Sequence, residues 1–132
     1  MQFEVKIPEG KATEEVERLM DLKKIFPKRR EKLAAARDTL VEAISLGYVS
    51  IDEKGAITQT LTTAVDGKAE LVYKDRIDPY TMNTELDRAK ATTQAAVNIA
   101  YIKAYAGCME ATVKRLESAD REIADAIAFF LQ

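Results

Sequence analysis

Apolar and polar positions alternate at the start of the chain and then change to helical spacing. Residues 2–7 place Phe3, Val5 and Ile7 on one face, which is the period-two pattern of a short, half-buried strand. The Pro-Glu-Gly sequence that follows contains two strong breakers and ends the pattern. We therefore predict an N-terminal strand.

Two helices are predicted between this strand and Gly47. Thr13 is a candidate N-cap, and apolar residues at helical spacing follow as far as Lys24. Pro27 ends this helix or starts the next one, because proline disfavours helical geometry at the residue before it. The second helix is predicted over residues 28–46, with Gly47 as its C-terminal stop. Together they form a helical hairpin or a bent pair.

A β-hairpin is the clearest local signal. Residues 57–65 alternate and are rich in threonine, which is common in strands. Asp66-Gly67-Lys68 predicts a tight turn, because Gly and Asp tolerate the positive φ angles that such turns require. Residues 69–74 form the returning strand. An isolated hairpin is only marginally stable in water, so the N-terminal strand is the candidate for a third strand.

The rest of the chain is predicted to be helical. Asp78-Pro79 starts a long helix that reaches about Ala106, since Asp78 can cap free amides and proline is tolerated in the first turn. Gly107 ends it. A short helix follows over residues 109–116, and Ser118 caps a terminal helix with Asp120 in its first turn.

These elements predict an α+β fold that is mostly helical, with the hairpin packed on a helical bundle. We expect one domain over residues 1–132, made of the N-terminal strand and helical pair (1–49), the hairpin (50–78) and the C-terminal helices (79–132). The chain is 47% hydrophobic and 32% charged, which is typical of a globular protein. No apolar run approaches the roughly 20 residues that span a bilayer. A lone cysteine suits a reducing compartment, so we expect a cytosolic protein.

The residue types exclude several kinds of chemistry. The chain has no histidine, which removes histidine-based acid–base catalysis and the usual zinc sites. The glycines are scattered and form no phosphate-binding loop. The acidic pairs lie at predicted caps and turns, and Cys108 lacks the usual activating histidine. We therefore predict no catalytic, cofactor-binding or metal-binding residues.

A dense basic cluster is one candidate site. Lys23, Lys24, Lys28, Arg29, Arg30 and Lys32 put six basic residues within ten positions. One interpretation is a patch that binds nucleic acid or an acidic partner. The alternative is a solvated helix junction balanced by nearby glutamates, which the overall net charge of −2 favours.

Several features follow one another in order after Ser50. They are the hairpin with its Val65-Asp-Gly-Lys68 turn, a polar helix start, an alanine-rich helix ending Ala100-Tyr-Ile-Lys-Ala-Tyr-Ala-Gly107, and Val113-Lys-Arg-Leu116. A helix that begins Ser118-Ala-Asp and finishes with two aromatic residues closes the series. Over about residues 50–132 this order resembles the phage tail assembly chaperones, small helical proteins of long-tailed phages and prophages. The first fifty residues depart from that pattern.

The resemblance implies a non-enzymatic protein without a cofactor, located in the cytoplasm of the bacterial host. Its partner would be the tape-measure protein, the long helical chain that sets tail length, or other tail proteins. A homo-oligomer is left open by the sequence. Two adjacent aromatic residues on one helix cannot both face one core, so one interpretation is that either Phe129 or Phe130 is exposed to a partner. The alternative, which we favour, is burial of both rings against neighbouring helices. The candidate partner-binding residues are Tyr101, Tyr105, Ile127, Phe129 and Phe130.

Overall fold

The chain folds into seven helices and one three-stranded antiparallel sheet in the computed structural model, which describes residues 3–132. This confirms the predicted α+β class. The elements in chain order are α1 (Glu9–Leu22), α2 (Pro27–Lys32), α3 (Ala34–Ser45), β1 (Val49–Ile51), β2 (Ile57–Val65), β3 (Lys68–Tyr73), α4 (Pro79–Ala89), α5 (Gln94–Ala106), α6 (Glu110–Lys114) and α7 (Ser118–Leu131).

Helix packing joins the N-terminal and C-terminal parts of the chain. Helix α3 contacts both α1 and α7, and α7 also contacts α5 and strand β2. One cluster of buried apolar side chains runs through these elements, from Val16 of α1 to Phe130 of α7. The sheet contributes Ile57, Leu71 and Tyr73 to that cluster. Residues of every predicted segment therefore share one core.

The predicted N-terminal strand is wrong. Residues 3–8 form no strand, and Gln2 lies outside the described residues. The segment instead docks on the end of α3, where the Lys6 and Ile7 amides donate to the Ser45 carbonyl at 2.7 and 3.1 Å. The third strand is β1, which pairs antiparallel with β2 in the order β1-β2-β3. Only a short turn joins β1 to β2. Pairing of β1 with β2 therefore closes a much shorter loop than pairing of the N-terminal segment with the hairpin would.

The first helix begins earlier than its capping signal indicates. It starts at Glu9 after Pro8, and the Thr13 hydroxyl donates to the Glu9 carbonyl inside the helix rather than capping it. It ends at Leu22, after which Lys24 takes a positive φ of 53°. Threonine hydroxyls commonly bond back to the carbonyl four residues earlier. The Thr13 hydroxyl, predicted as an N-cap, therefore lies inside α1 and does not mark where the helix begins.

Both predicted long helices are broken. Leu33 separates α2 from α3, with φ −91° and ψ 7°, and its side chain is buried. The second break lies between α4 and α5, where Lys90 adopts a left-handed conformation with φ 50°. Thr93 then caps α5, since its hydroxyl accepts from the Ala96 amide at 3.1 Å. Local capping by a short polar side chain competes with helix continuation.

Other boundary predictions are confirmed. Asp66 and Gly67 have φ values of 51° and 77° and form the tight turn of the hairpin. Gly47 and Gly107, with φ 84° and 62°, end α3 and α5. The Asp78 carboxylate caps α4 by accepting from the Thr81 amide at 2.9 Å. The Ser118 cap is wrong, because Glu117 occupies the N-cap position and Ser118 is the first residue of α7.

A buried polar chain fastens α7 to the hairpin. The Asp120 carboxylate, fully buried, accepts from the Thr62 amide at 2.9 Å and the Thr62 hydroxyl at 3.0 Å, where the β2–β3 register is irregular. The Gln59 amide donates to the Asp120 carbonyl at 2.8 Å, and the Tyr73 hydroxyl donates to Gln59 Oε1 at 2.8 Å. Buried polar groups require such partners. This chain sets the position of α7 on the sheet.

Candidate functional site

A cleft of about 630 Å³ lies where six segments of the fold meet. These are the end of α1 with the α1–α2 loop, the start of α2, the β1–β2 turn, the β3–α4 loop and the ends of α5 and α7. Five of its lining residues are basic and one, Asp75, is acidic. We call this site the basic cleft, and its basic residues are Lys23, Lys24, Arg29, Lys54 and Arg76.

The basic cleft also has an apolar side. Ile25, Tyr105 and Phe130 line it and are buried. At its rim the Phe26 side chain is 79% exposed and Leu22 is 43% exposed. Concave sites with an apolar lining and a few charged groups are the usual form of binding sites in proteins. The cleft therefore combines an anchor for an apolar group with positive charge.

Two of the cations are held in place by backbone carbonyls. Lys23 Nζ donates to the Asp75 carbonyl at 2.9 Å, and Arg29 Nη2 donates to the Phe129 carbonyl at 2.8 Å. A carbonyl orients a cation without neutralising it. Burial lowers the pKa of the Lys23 ammonium below its ordinary value of 10.5, while the Asp75 carboxylate partly opposes that shift. An anion brought into the cleft would favour the charged form of Lys23.

The arginines of the protein divide into two groups. The chain has eight arginines, all within residues 3–132, and six of them form ion pairs with carboxylates. The other two, Arg29 and Arg76, have no carboxylate partner within 4 Å among the described residues, and both line the basic cleft. Outside the basic cleft, each arginine is paired with a nearby carboxylate. In the cleft, the charges of Arg29 and Arg76 have no such carboxylate among the described residues and can pair with a bound anion.

The predicted basic cluster is divided between this cleft and the surrounding surface. Lys23, Lys24 and Arg29 line the cleft. Arg30 is engaged elsewhere, with Asp21 at 3.0 Å and the Ile25 carbonyl at 2.7 Å. Lys28 and Lys32 are exposed on α2 and do not line the cleft.

Sequence reasoning missed two of the five cations of the cleft. Lys54 lies in the β1–β2 turn and Arg76 in the β3–α4 loop, far along the chain from residues 23–32. No local pattern around either residue indicates that the fold brings them to the same place.

The predicted partner-binding residues occupy different environments. Tyr105 and Phe130 are buried and line the basic cleft. Ile127 is fully buried and presents no surface, because it faces the common core. Tyr101 and Phe129 are half-buried, and the Tyr101 ring stacks on Tyr105 with centroids 6.1 Å apart. Part of each candidate set therefore reaches one cleft, namely Lys23, Lys24 and Arg29 of the basic cluster and Tyr105 and Phe130 of the predicted partner-binding residues.

Other titratable groups have structural contacts. Cys108 is buried, and this burial raises the pKa of its thiol, which disfavours the reactive thiolate. The Asp52 carboxylate accepts from the Lys54 and Ala56 amides of its own turn. Within residues 3–132, no three metal-ligating side chains group together.

Comparisons with known proteins assign no family to this chain. A scan against protein-family models, a search of curated proteins and a search of solved structures each returned no match. Among residues 3–132, none of the helices has the length and apolar character needed to cross a membrane.

Proposed function

We propose that this protein is a non-enzymatic tail assembly chaperone that binds a phage tape-measure protein in the cytoplasm of a bacterial host. The resemblance of residues 50–132 to that family supports the identity of the partner. The basic cleft is the observation that supports protein binding, because an apolar lining, the exposed Phe26 and cations without carboxylate partners coincide there.

A chaperone of this kind must cover apolar helical surface reversibly. Contacts between an amphipathic helix and a groove use anchors spaced at i, i+3, i+4 and i+7. A cleft of this size admits only a few side chains, so a single contact would be weak. Repeated weak contacts along a long helical partner would add up through avidity.

Co-expression with the tape-measure protein encoded near the gene tests the proposal. The expected result is that tagged chaperone recovers the tape-measure protein and raises its soluble fraction. A tagged variant in which Phe26 is replaced by serine is expected to recover less. Failure of the intact chaperone to recover any tape-measure protein would reject the proposed function.

A second candidate function is association with nucleic acid in a regulatory role. The five cations of the basic cleft favour it, since phosphate binding requires clustered positive charge. It predicts binding to short DNA or RNA that weakens steeply as salt rises. Fluorescence anisotropy with labelled oligonucleotides at low salt measures this directly, and a flat titration would remove the candidate.

A further inference from the structure

We propose that the basic cleft binds an acidic amphipathic segment of the partner protein. Carboxylates of the segment would pair with the cleft cations, and one apolar side chain would contact Phe26 and the apolar side of the cleft. The inference rests on the proposed function, because it names the binding site and the chemistry of the bound segment.

Charge is the first argument. Arg29 and Arg76 are the two arginines without a carboxylate partner among the described residues, and both line one cleft with three lysines. Asp75 is the single acidic lining residue, so the charge of the site is unbalanced. Arginine pairs with carboxylates in a planar, two-bond geometry. A carboxylate-bearing segment would therefore supply the missing ion-pair partners.

Shape and apolar content favour peptide over nucleic acid. Single-stranded nucleic acid is usually held by several aromatic side chains on which successive bases stack. The basic cleft offers Phe26 as its one largely exposed aromatic side chain, while Tyr105 and Phe130 are buried in its lining. A single exposed aromatic ring beside Leu22 and Leu131 instead suits one apolar side chain surrounded by charged groups.

A designed peptide provides the probe. It is a fluorescein-labelled, end-capped peptide of about 15 residues, long enough to form a helix on binding, with leucines at i, i+3, i+4 and i+7 and glutamates elsewhere. One control peptide replaces every glutamate with glutamine, and a second replaces every leucine with serine. A labelled oligothymidylate of similar length is the nucleic-acid control. Anisotropy at low and moderate salt is the measurement.

Charge-reversal variants locate the site. K54E/R76E changes two exposed cations of the basic cleft whose side chains form no hydrogen bond or ion pair with any of residues 3–132. It is expected to weaken binding of the acidic peptide at least about tenfold, mostly at low salt. K28E/K32E is the matched control, because it makes the same change of net charge on exposed α2 positions outside the cleft. It is expected to change affinity less than about twofold. Circular dichroism confirms that both variants are folded.

The outcomes separate this inference from the proposed function. Equal losses in both variants, or equal binding of the glutamine peptide, would overturn the cleft as a specific carboxylate site. Binding of oligothymidylate without the acidic peptide would overturn it in favour of nucleic acid. If K54E/R76E still recovers the tape-measure protein in full, the cleft inference fails while the proposed function stands. If the acidic peptide binds the cleft but no tape-measure protein is recovered, the proposed function fails and the cleft stands.

Discussion

At the scale of single residues, polar side chains do more in this fold than their sequence positions indicate. Asp120 looks like an ordinary first-turn aspartate, yet its carboxylate is fully buried and accepts from the backbone of β2. Asp66 looks like a turn residue, yet it also accepts from Thr112 of α6 and from Arg115 directly after α6. Both carboxylates join segments that are distant in sequence.

Replacing Asp120 with alanine should destabilise the protein strongly. The half-buried Thr62 amide and hydroxyl would lose their acceptor, the buried Asp120 side chain would leave a gap, and each donor left unsatisfied away from water costs about 1–3 kcal/mol. We expect a loss of about 2–4 kcal/mol in the free energy of unfolding, measured by urea denaturation. Glu122→Ala, an exposed position on the same helix, is the control and should change it by less than about 0.5 kcal/mol. Similar losses in both variants would contradict the role of Asp120.

Asp66 should make the free energy of unfolding depend on pH in the acidic range. Hydrogen bonds from Arg115 and Thr112 hold the pKa of this carboxyl below its ordinary value of 3.8. Because the folded-state pKa is the lower one, the contribution is complete above 3.8 and is lost as pH falls through the folded pKa. Asp66→Asn keeps a residue suited to positive φ but removes the charge. We expect this variant to be less stable at pH 7 and to lose less stability than the native protein between pH 5 and 3.

Thermal unfolding across that pH range measures the difference. Asp87→Asn controls for the change in net charge, because it neutralises an exposed carboxylate that has no side-chain partner among residues 3–132. Parallel stability curves for the native protein and Asp66→Asn would show that the contact with Arg115 contributes nothing.

At the scale of elements, the turn and helix-end signals that act on neighbouring residues predicted the element boundaries correctly. The Asp66-Gly67 turn, the Asp78-Pro79 helix start and the glycine stops act on neighbouring atoms, so no distant contact is needed to define them. The breaks at Leu33 and Lys90 were missed because their surroundings have good helical composition. Burial of Leu33 depends on how the helices pack, whereas Thr93 caps α5 through a local contact with the Ala96 amide, a capping signal that the sequence interpretation missed.

The left-handed residue between α4 and α5 offers a stabilising change. Lys90 adopts φ 50° at the end of α4, a conformation that glycine accepts without steric cost. Relief of the left-handed penalty of about 1–2 kcal/mol exceeds the added unfolded-state entropy of glycine, about 0.5–1 kcal/mol, so Lys90→Gly should raise the free energy of unfolding by about 0.5–1 kcal/mol. Lys90→Ala removes the charge but keeps the steric penalty, so it should leave stability nearly unchanged. Equal effects in the two variants, measured by chemical denaturation, would show that backbone conformation is not the cause.

At the scale of the whole molecule, the basic cleft exists because α2 and the end of α7, which are distant in the chain, lie side by side. Arg29 of α2 donates to the Phe129 carbonyl near the end of α7, across a separation of 100 residues. Lys23 joins the α1–α2 loop to the β3–α4 loop through the Asp75 carbonyl. These two bonds hold the walls of the cleft together.

Arg29→Met tests this connection. Methionine keeps much of the apolar stem but cannot donate to the Phe129 carbonyl. We expect a loss of about 1 kcal/mol in the free energy of unfolding. Faster amide hydrogen exchange in the last turn of α7 should accompany it. Lys28→Met is the neighbouring control, because Lys28 is exposed and outside the cleft. Unchanged exchange at the end of α7 would show that Arg29 does not hold α7 against α2.

The candidate site was predictable only in part. The charge density of residues 23–32 identified Lys23, Lys24 and Arg29, because a cluster on one short segment must lie close together in any fold. Lys54 and Arg76 were not predictable, since their approach depends on the orientation of two turns of the sheet. The adjacent positions of Phe129 and Phe130 on one helix indicated that the two rings face different surroundings. In the structure Phe130 is buried and Phe129 is half-buried.

The sequence by itself determined the mostly helical α+β class, the β2–β3 hairpin and most turn and helix-end signals, because these depend on local backbone sterics, capping and periodicity. Tertiary structure alone decided that β1 rather than the N-terminus completes the sheet, and that Asp120 is buried against the hairpin. It also decided which cations surround one cleft. Each of these outcomes depends on contacts between residues distant in the chain, whose free energies no local pattern contains.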